Sequence, residues 1–351
     1  MAETKLKTSQ VADQDPTAAQ RKKDHIELAF QSQITSGELD QRFYYEPLLA
    51  GHPEADSYPS LSFLGFDFRL PLWVSSMTGG TEMANTINHN LARAAGDFGF
   101  GMGLGSCRSL LYSDDTLADF SVKEYMPDQP LFANLGIAQL EELVDQGDYD
   151  RIHRLLDKLE ADGLIIHVNP LQEWLQPEGD RFAKAPIDTI ETLLEKIDRP
   201  MIVKEVGQGM GYESLKRLLQ LPLAAVDFAA NGGTNFAKLE LLRSDPVKQA
   251  IYERVAMLGH SAEDMVGMVN RITAEIPAAV KVKQIIISGG VRHFLDGYYL
   301  INKIDTTAIY GQASAFLKHA RGEYEELAKY VQAQKEGLEL AQAFLKIREG
   351  R

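Results

Sequence analysis

Eight short apolar or β-branched runs between residues 72 and 310 set the strongest limit on how this chain can fold. They are Leu72–Ser76, Phe100–Leu104, Leu131–Leu135, Leu164–Val168, Met201–Lys204, Ala224–Phe228, Gln284–Ser288 and Thr306–Tyr310. Amphipathic stretches such as Ile187–Ile197 and Gly211–Leu221 lie between most of them. Continuous apolar runs mark strands buried on both faces, and helical text between them marks parallel crossovers. Eight such units predict an α/β fold, a (β/α)₈ TIM barrel. A doubly wound open sheet is the alternative that one sequence leaves open.

Two segments depart from the repeat. About fifty residues separate Thr234 from Gln284, with helical periodicity, so the sixth crossover is expected to be elaborated. Gly322–Ile347 reads as one long amphipathic helix or a pair. At the front, residues 1–20 hold almost no large apolar side chains and read as a disordered tail, leaving 21–351 as a single barrel domain. A short helix is expected in RKKDHIELAFQ, with Arg21, Lys22 and Lys23 at its start. That end of a helix disfavours bases, so a partner elsewhere is implied.

Charge and cysteine content narrow the function. The 351 residues carry 50 acidic against 36 basic side chains, a net charge of −14. This argues against nucleic-acid binding and requires any anionic ligand to meet a local basic site. No apolar run reaches the roughly 20 residues that span a bilayer. A lone cysteine, Cys107, rules out an intrachain disulfide. With no secretory signal in view, the expectation is a cytoplasmic protein.

Barrel chemistry collects at the C-terminal strand ends. There the chain reads SSMTGG (75–80), GLGSCR (103–108), NLG (134–136), HVNPLQE (167–173), KEVGQG (204–209), NGGTNF (231–236), SGGVR (288–292) and YGQAS (310–314). Gly-Gly pairs allow close backbone approach and turn N–H groups toward anions, although any one pair also reads as a plain turn. The seventh and eighth exits stand where such barrels hold phosphate, and Arg292 could pair with it. Lys204 closes an apolar strand, where an ammonium is costly without negative charge nearby. It suits a Schiff base or the anionic edge of a reduced flavin. Glu205 is expected to point away and be structural. Glu240, taken alone, reads as a solvated helix residue, and Cys107 as a weak nucleophile candidate.

Together these exits resemble type 2, FMN-dependent isopentenyl-diphosphate isomerase. The matching segments are RKKDH (21–25), SSMTGG, GLGS-R, ANLG, HVNPLQE, VKEVGQGM, NGGTNF with Glu240, and SGGVR, in that order. The resemblance implies isomerisation of isopentenyl to dimethylallyl diphosphate on a barrel holding FMN. It also implies Mg²⁺ on the diphosphate, and NADPH to reduce the flavin. Met77, Thr78 and Gly79 would lie against the flavin, Ser106 and Asn134 would bond it, and Lys204 would sit at its pyrimidine edge near Thr234. Gly289, Gly290, Arg292, Gln312, Ala313 and Ser314 would hold the FMN phosphate. Arg21, Lys22, Ser106, Arg108, His167 and Asn169 would meet the substrate. Glu173 would hold Mg²⁺, Gln172 would face the alkene, and Gln172, Glu240 and Lys204 would be the catalytic set. Trp174 has no role assigned by the resemblance, and packing beneath the site is the expectation for it. The resemblance further implies a homo-oligomer, a tetramer or larger. Cys107 stands where the family usually has glutamine.

Two other readings stay open from the residues alone. One is a different flavin enzyme such as a 2-hydroxy-acid oxidase, with His293 beside Arg292 as its base. The other is a binding barrel without catalysis.

Overall fold

The computed structural model describes residues 17–76 and 82–348. Eight parallel strands close into a barrel: β1 Leu72–Val74, β2 Gly101–Gly103, β3 Leu131–Gly136, β4 Gly163–His167, β5 Met201–Lys204, β6 Ala225–Asp227, β7 Gln284–Ser288 and β8 Thr307–Gln312. They are hydrogen-bonded in sequence order around the ring, with β8 returning to β1. The closed barrel is therefore the observed architecture, and the open sheet is excluded. Every residue of β1, β2, β3, β5 and β6 is buried, as strands covered on both faces require.

The interior is filled by large and small residues in facing positions. Trp73 on β1 meets the Phe132 ring edge-on, with centroids 5.9 Å apart. Gly101 is the residue registered opposite Trp73 on β2. A methyl group there would lie 2.4 Å from the indole, so the indole occupies the space a side chain would need.

The elaborated sixth crossover is present as helices Phe236–Arg243, Pro246–Tyr252 and Ala262–Glu275. The last begins with a reciprocal cap between Ser261 and Asp264, which satisfies otherwise orphaned N–H groups. The C-terminal segment is one helix, Tyr324–Phe344, packed on helices Glu82–Phe98, Phe294–Ile301 and Ser314–Ala320. Its expected end is different: Leu345–Ile347 is a strand paired antiparallel with Phe43–Tyr45. A hairpin, Leu61–Phe63 with Phe66–Phe68, covers the N-terminal end of the barrel, where the Leu64 N–H donates to Gln284 Oε1 at the start of β7. The N-terminal helix runs Ala18–Leu28, not from Arg21. That earlier start moves Lys22 and Lys23 into the second turn, where the dipole penalty has decayed. No helix of the described residues is long and apolar enough to cross a membrane.

The packing at Gly101 gives a direct test. Gly101→Ala should lower unfolding stability by about 1–3 kcal/mol, because the indole cannot withdraw from a filled interior. Denaturant titration should show a lower midpoint at unchanged slope.

Candidate active site

The exits of β5, β6, β7, β8 and β1 surround a cavity of about 510 Å³ at the C-terminal end of the barrel. Lys204, Thr234, Gly289, Gly290, Arg292, Gln312, Ala313 and Ser314 all line it. Its size suits a small-molecule or cofactor site. The β7 exit is built on Gly289, whose φ is +89°, and a Cβ there would fall 2.0 Å from the Ala230 carbonyl oxygen. Only glycine lets the β6 and β7 exits touch, and their contact forms one wall of the cavity. The first turn of helix Ser314–Ala320 adds unpaired N–H groups at the opposite wall. Arg292 is exposed at the rim and, among the described residues, has no carboxylate in ion-pair range.

Beneath the cavity the floor is charged. Lys204 is only 8% exposed, and its Nζ donates to the Glu205 carbonyl at 2.8 Å. Its register neighbours are His167 on β4 and Asp227 on β6. Asp227 is fully buried. Ser75 Oγ from β1's exit donates to its Oδ2 at 3.1 Å, and Ser288 Oγ from β7 donates to its Oδ1. Ser288 Oγ in turn accepts the Ala229 N–H at 3.0 Å. Ala229 has φ +42°, an uncommon backbone for a residue with a Cβ, and it begins the NGG turn. Burial is the largest influence on the Asp227 carboxyl and leaves it above the usual carboxylate range, while Lys204 and the two hydroxyls pull it part of the way back. Glu205 faces away, as expected. Its Oε2 accepts the N–H groups of Gly207, Gln208 and Gly209 at 2.7, 2.6 and 3.0 Å, closing that turn.

Across the mouth, the β2, β3 and β4 exits form a separate polar half. His167 Nδ1 lies 2.8 Å from Asn134 Oδ1, and Asn134 Nδ2 donates to the Leu104 carbonyl at 3.0 Å. The Asn134 oxygen is then the acceptor, so Nδ1 carries the imidazole proton and Nε2 is left as an acceptor. Asn169 Nδ2 donates to Gln172 Oε1 at 3.0 Å and to Glu173 Oε1 at 2.9 Å. Its own Oδ1 is buried without a partner. Glu173 Oε2 accepts the Asp180 N–H at 2.7 Å, and Asp180 Oδ2 holds Arg108 Nη1 and Gln139 Nε2, each at 3.0 Å.

Comparison with known proteins decides the family. The chain is 36% identical over 321 residues to the isopentenyl-diphosphate delta-isomerase of Rickettsia felis, covering 89% of this chain and 88% of that one. It is 36% identical over 282 residues to the enzyme of that name from Synechococcus sp., covering 79% and 78%. The chain belongs to the isopentenyl-diphosphate delta-isomerase family. No family model matches it. Among solved structures, a flavocytochrome b2 variant with benzoylformate aligns with a TM-score of 0.58 at 15% identity, covering 87% of this chain and 75% of that one. A mandelate oxidase variant with a monooxide FMN adduct aligns at 0.50 and 15%, covering 88% and 89%. These two likenesses extend to the barrel fold alone. This fold fits the type 2 branch of the isomerase family.

Several of the singled-out residues have contacts that the sequence does not show. Gln312 lines the cavity, but its side chain is committed outward. Its Oε1 accepts from Gln334 Nε2 at 3.0 Å and Tyr330 Oη at 3.2 Å on the C-terminal helix. Glu240 is not solvated: it is 3% exposed and pairs with Arg243 at 2.6 Å, on a helix packed against Pro170–Leu175. It does not line the cavity. Trp174 does not pack beneath the site; it is 54% exposed, with the Arg181 guanidinium 4.9 Å above its ring. Arg21 and Lys22 lie on an N-terminal helix that buries no residue, and neither lines the cavity. Cys107 is buried in the core, which pushes its thiol up to about 12 and leaves no thiolate for attack. His293 is exposed, and its Nδ1 accepts the Leu295 N–H as a helix cap, so it offers no base to the cavity. Met77, Thr78 and Gly79 lie outside the described residues.

Sequence reasoning missed Asp227 and Asp180. An aspartate inside the apolar run AAVDF was the available signal for Asp227, since a buried charge needs a reason. Asp180 sits in a loop with no pattern around it.

His167 is neutral. Lost solvent around the ring and the nearby Lys204 charge take it from 6.5 down to about 3. The unfolded chain thus binds a proton that the folded one refuses between those values. This contribution weakens the fold as pH falls from 6.5 toward 3. In ¹³C-histidine-labelled protein, the resonance missing from a His167→Gln variant should not titrate between about pH 5 and 8.

Proposed function

We propose that this enzyme converts isopentenyl and dimethylallyl diphosphate into each other with reduced FMN bound in the glycine-lined cavity. The observation that carries the reading is the buried Lys204 ammonium at the floor of that cavity, one strand from the polar half of the mouth. The reaction adds one proton to an alkene carbon and removes another from a neighbouring carbon, with no net change in electrons. Bound reduced FMN would supply the acid–base group for this exchange, and NADPH would serve only to reduce it.

The residues fit the cofactor. An anionic ring edge needs a cation in a dry site, and Lys204 is placed to meet it. Its phosphate needs N–H donors and a cation, which the β7 turn, the start of helix Ser314–Ala320 and Arg292 can offer. Ser76 Oγ, buried at the cavity wall with no partner among the described residues, is a further polar atom that could bond a ligand.

The substrate diphosphate would lie across the β2–β4 half. Arg108 would have to leave or share Asp180 to reach it. His167 Nε2 would contribute a donor only after taking up a proton, which an arriving dianion favours. Gln172 has its carbonyl engaged by Asn169, so its NH₂ group would be turned toward the alkene. Mg²⁺ retains water and takes few protein ligands when it rides on a diphosphate. Among the described residues no group of three or more His, Cys, Asp or Glu could cage a metal. The single carboxylate of Glu173 fits an ion held mainly by substrate.

A homo-oligomer, a tetramer or larger, belongs to the same reading. Support comes from large apolar side chains left exposed: Ile26 (74%), Phe30 (84%) and Ile34 (71%) before the barrel, and Leu242, Val247 and Ile251 at its sixth crossover. So does a cytoplasmic setting, supported by a lone cysteine buried as a free thiol.

The reading is open to direct measurement. Purified protein should be yellow or take up FMN. It should isomerise isopentenyl diphosphate anaerobically with NADPH and Mg²⁺, and turn over no 2-hydroxy acid. Glu173→Gln should lose its Mg²⁺ dependence and about 100-fold or more in kcat; retention of both would remove the metal assignment. Light scattering should give a mass of at least four chains, and Leu242→Asp with Ile251→Asp should reduce it.

A further inference from the structure

Lys204 is an ammonium in a place with little water, and something must hold its charge. The titratable and charged groups around it come from three strands. His167 on β4 is neutral and hydrogen-bonded to Asn134. Glu205 follows it on the chain, but that carboxylate is turned back to accept the three N–H groups of residues 207–209. Asp227 on β6 is the register partner of Lys204 and is fully buried.

The hydroxyls around Asp227 fix its form. Ser288 Oγ already accepts the Ala229 N–H, so its own proton is directed at Asp227 Oδ1. Ser75 Oγ donates to the other oxygen. Two donors, one per oxygen, suit a carboxylate and leave no acceptor for an acid proton. Among the described residues, Asp227 forms no direct ion pair with Lys204. The lysine instead bonds the Glu205 carbonyl, which leaves two of its three protons for the cavity.

We propose that Asp227, clamped by Ser75 and Ser288, is a positioning residue that keeps Lys204 cationic and aimed into the cavity without capping it. A direct ion pair would spend the ammonium on the protein. A counter-charge held one strand away stabilises it and leaves its protons to a ligand. The clamp also sets the distance, because the two hydroxyls come from β1 and β7 and stop the carboxylate swinging toward β5. This role rests on the cavity-floor geometry, and its meaning for catalysis rests on the isomerase reading above.

The test separates the two. In full-length protein freed of flavin, the pH profile of Lys204 acylation by acetic anhydride is followed by peptide mass spectrometry, with exposed Lys346 as reference. Asp227→Asn should shift the Lys204 profile about one unit toward lower pH, an increase of about tenfold in labelling at a fixed pH. Ser75→Ala, which keeps the carboxylate but frees one oxygen to approach β5, should shift it the opposite way, toward higher pH, and by less. It decides the matter if the asparagine variant does not fold. An unchanged Lys204 profile in a folded variant, with Lys346 also unchanged, overturns the proposal. If the profile shifts but the wild-type protein fails to isomerise isopentenyl diphosphate, the functional reading falls while the positioning role stands.

Discussion

One buried carboxylate ties the mouth of this barrel together. Asp227 accepts a hydroxyl from the exit of β1 and another from β7, and sits beside the lysine that ends β5. Hydrogen bonds to a charged group stabilise by about 1.5–3 kcal/mol each when buried. Loss of one partner would leave the charge uncompensated, which costs more than the bond itself. The same Ser288 hydroxyl holds the Ala229 N–H, where the backbone takes a left-handed turn into the NGG segment. Strain of that kind persists only where the surroundings over-determine it. The wall of the cavity and the charge on its floor thus depend on one set of bonds.

Around that point the mouth divides by chemistry. The β6, β7 and β8 exits are poor in side chains and rich in backbone N–H groups, suited to a ligand that needs shape and phosphate contacts. The β2, β3 and β4 exits are rich in amides and carboxylates already bonded to one another. Lys204 belongs to both halves through its register with His167 and Asp227. Under the proposed function such a division would place the acid–base group on one side and the diphosphate on the other.

The barrel was legible because its strands are buried on both faces and therefore read as unbroken apolar runs. All eight candidate runs became barrel strands, Met201–Lys204 and Gln284–Ser288 with the expected ends and the others with ends displaced by no more than two residues. The glycine exits were legible because backbone approach admits few substitutes. Side-chain direction was not. Gln312 stands at the exit of the eighth run as expected, yet its amide oxygen is held by Gln334 and Tyr330 of the C-terminal helix. Glu240 carries no mark in sequence that separates a solvated helix face from one pressed on a neighbouring helix. Trp174 carries no mark in sequence of a surface position, but a cation above its ring supplies a partner there. Each of these outcomes depends on contacts between distant segments.

The charge of the chain gives these details their sense. With a net charge of −14, the protein repels an anionic ligand at long range, and only local cations can reverse this. Arg108 and Arg292, at the two sides of the mouth, are exposed, so their pull is screened by water and salt. Lys204 is buried, and there its charge acts in a medium that screens it far less. The exposed pair can draw an anion in, while the buried one can tell where in the cavity negative charge resides. The neutral His167 beside it follows from the same economy of charge: two cations on adjacent strands would repel, and the imidazole is the one that gives up its proton. Until an anion arrives, the floor thus carries one positive charge, and the imidazole beside it is free to take up a proton when a ligand brings negative charge near.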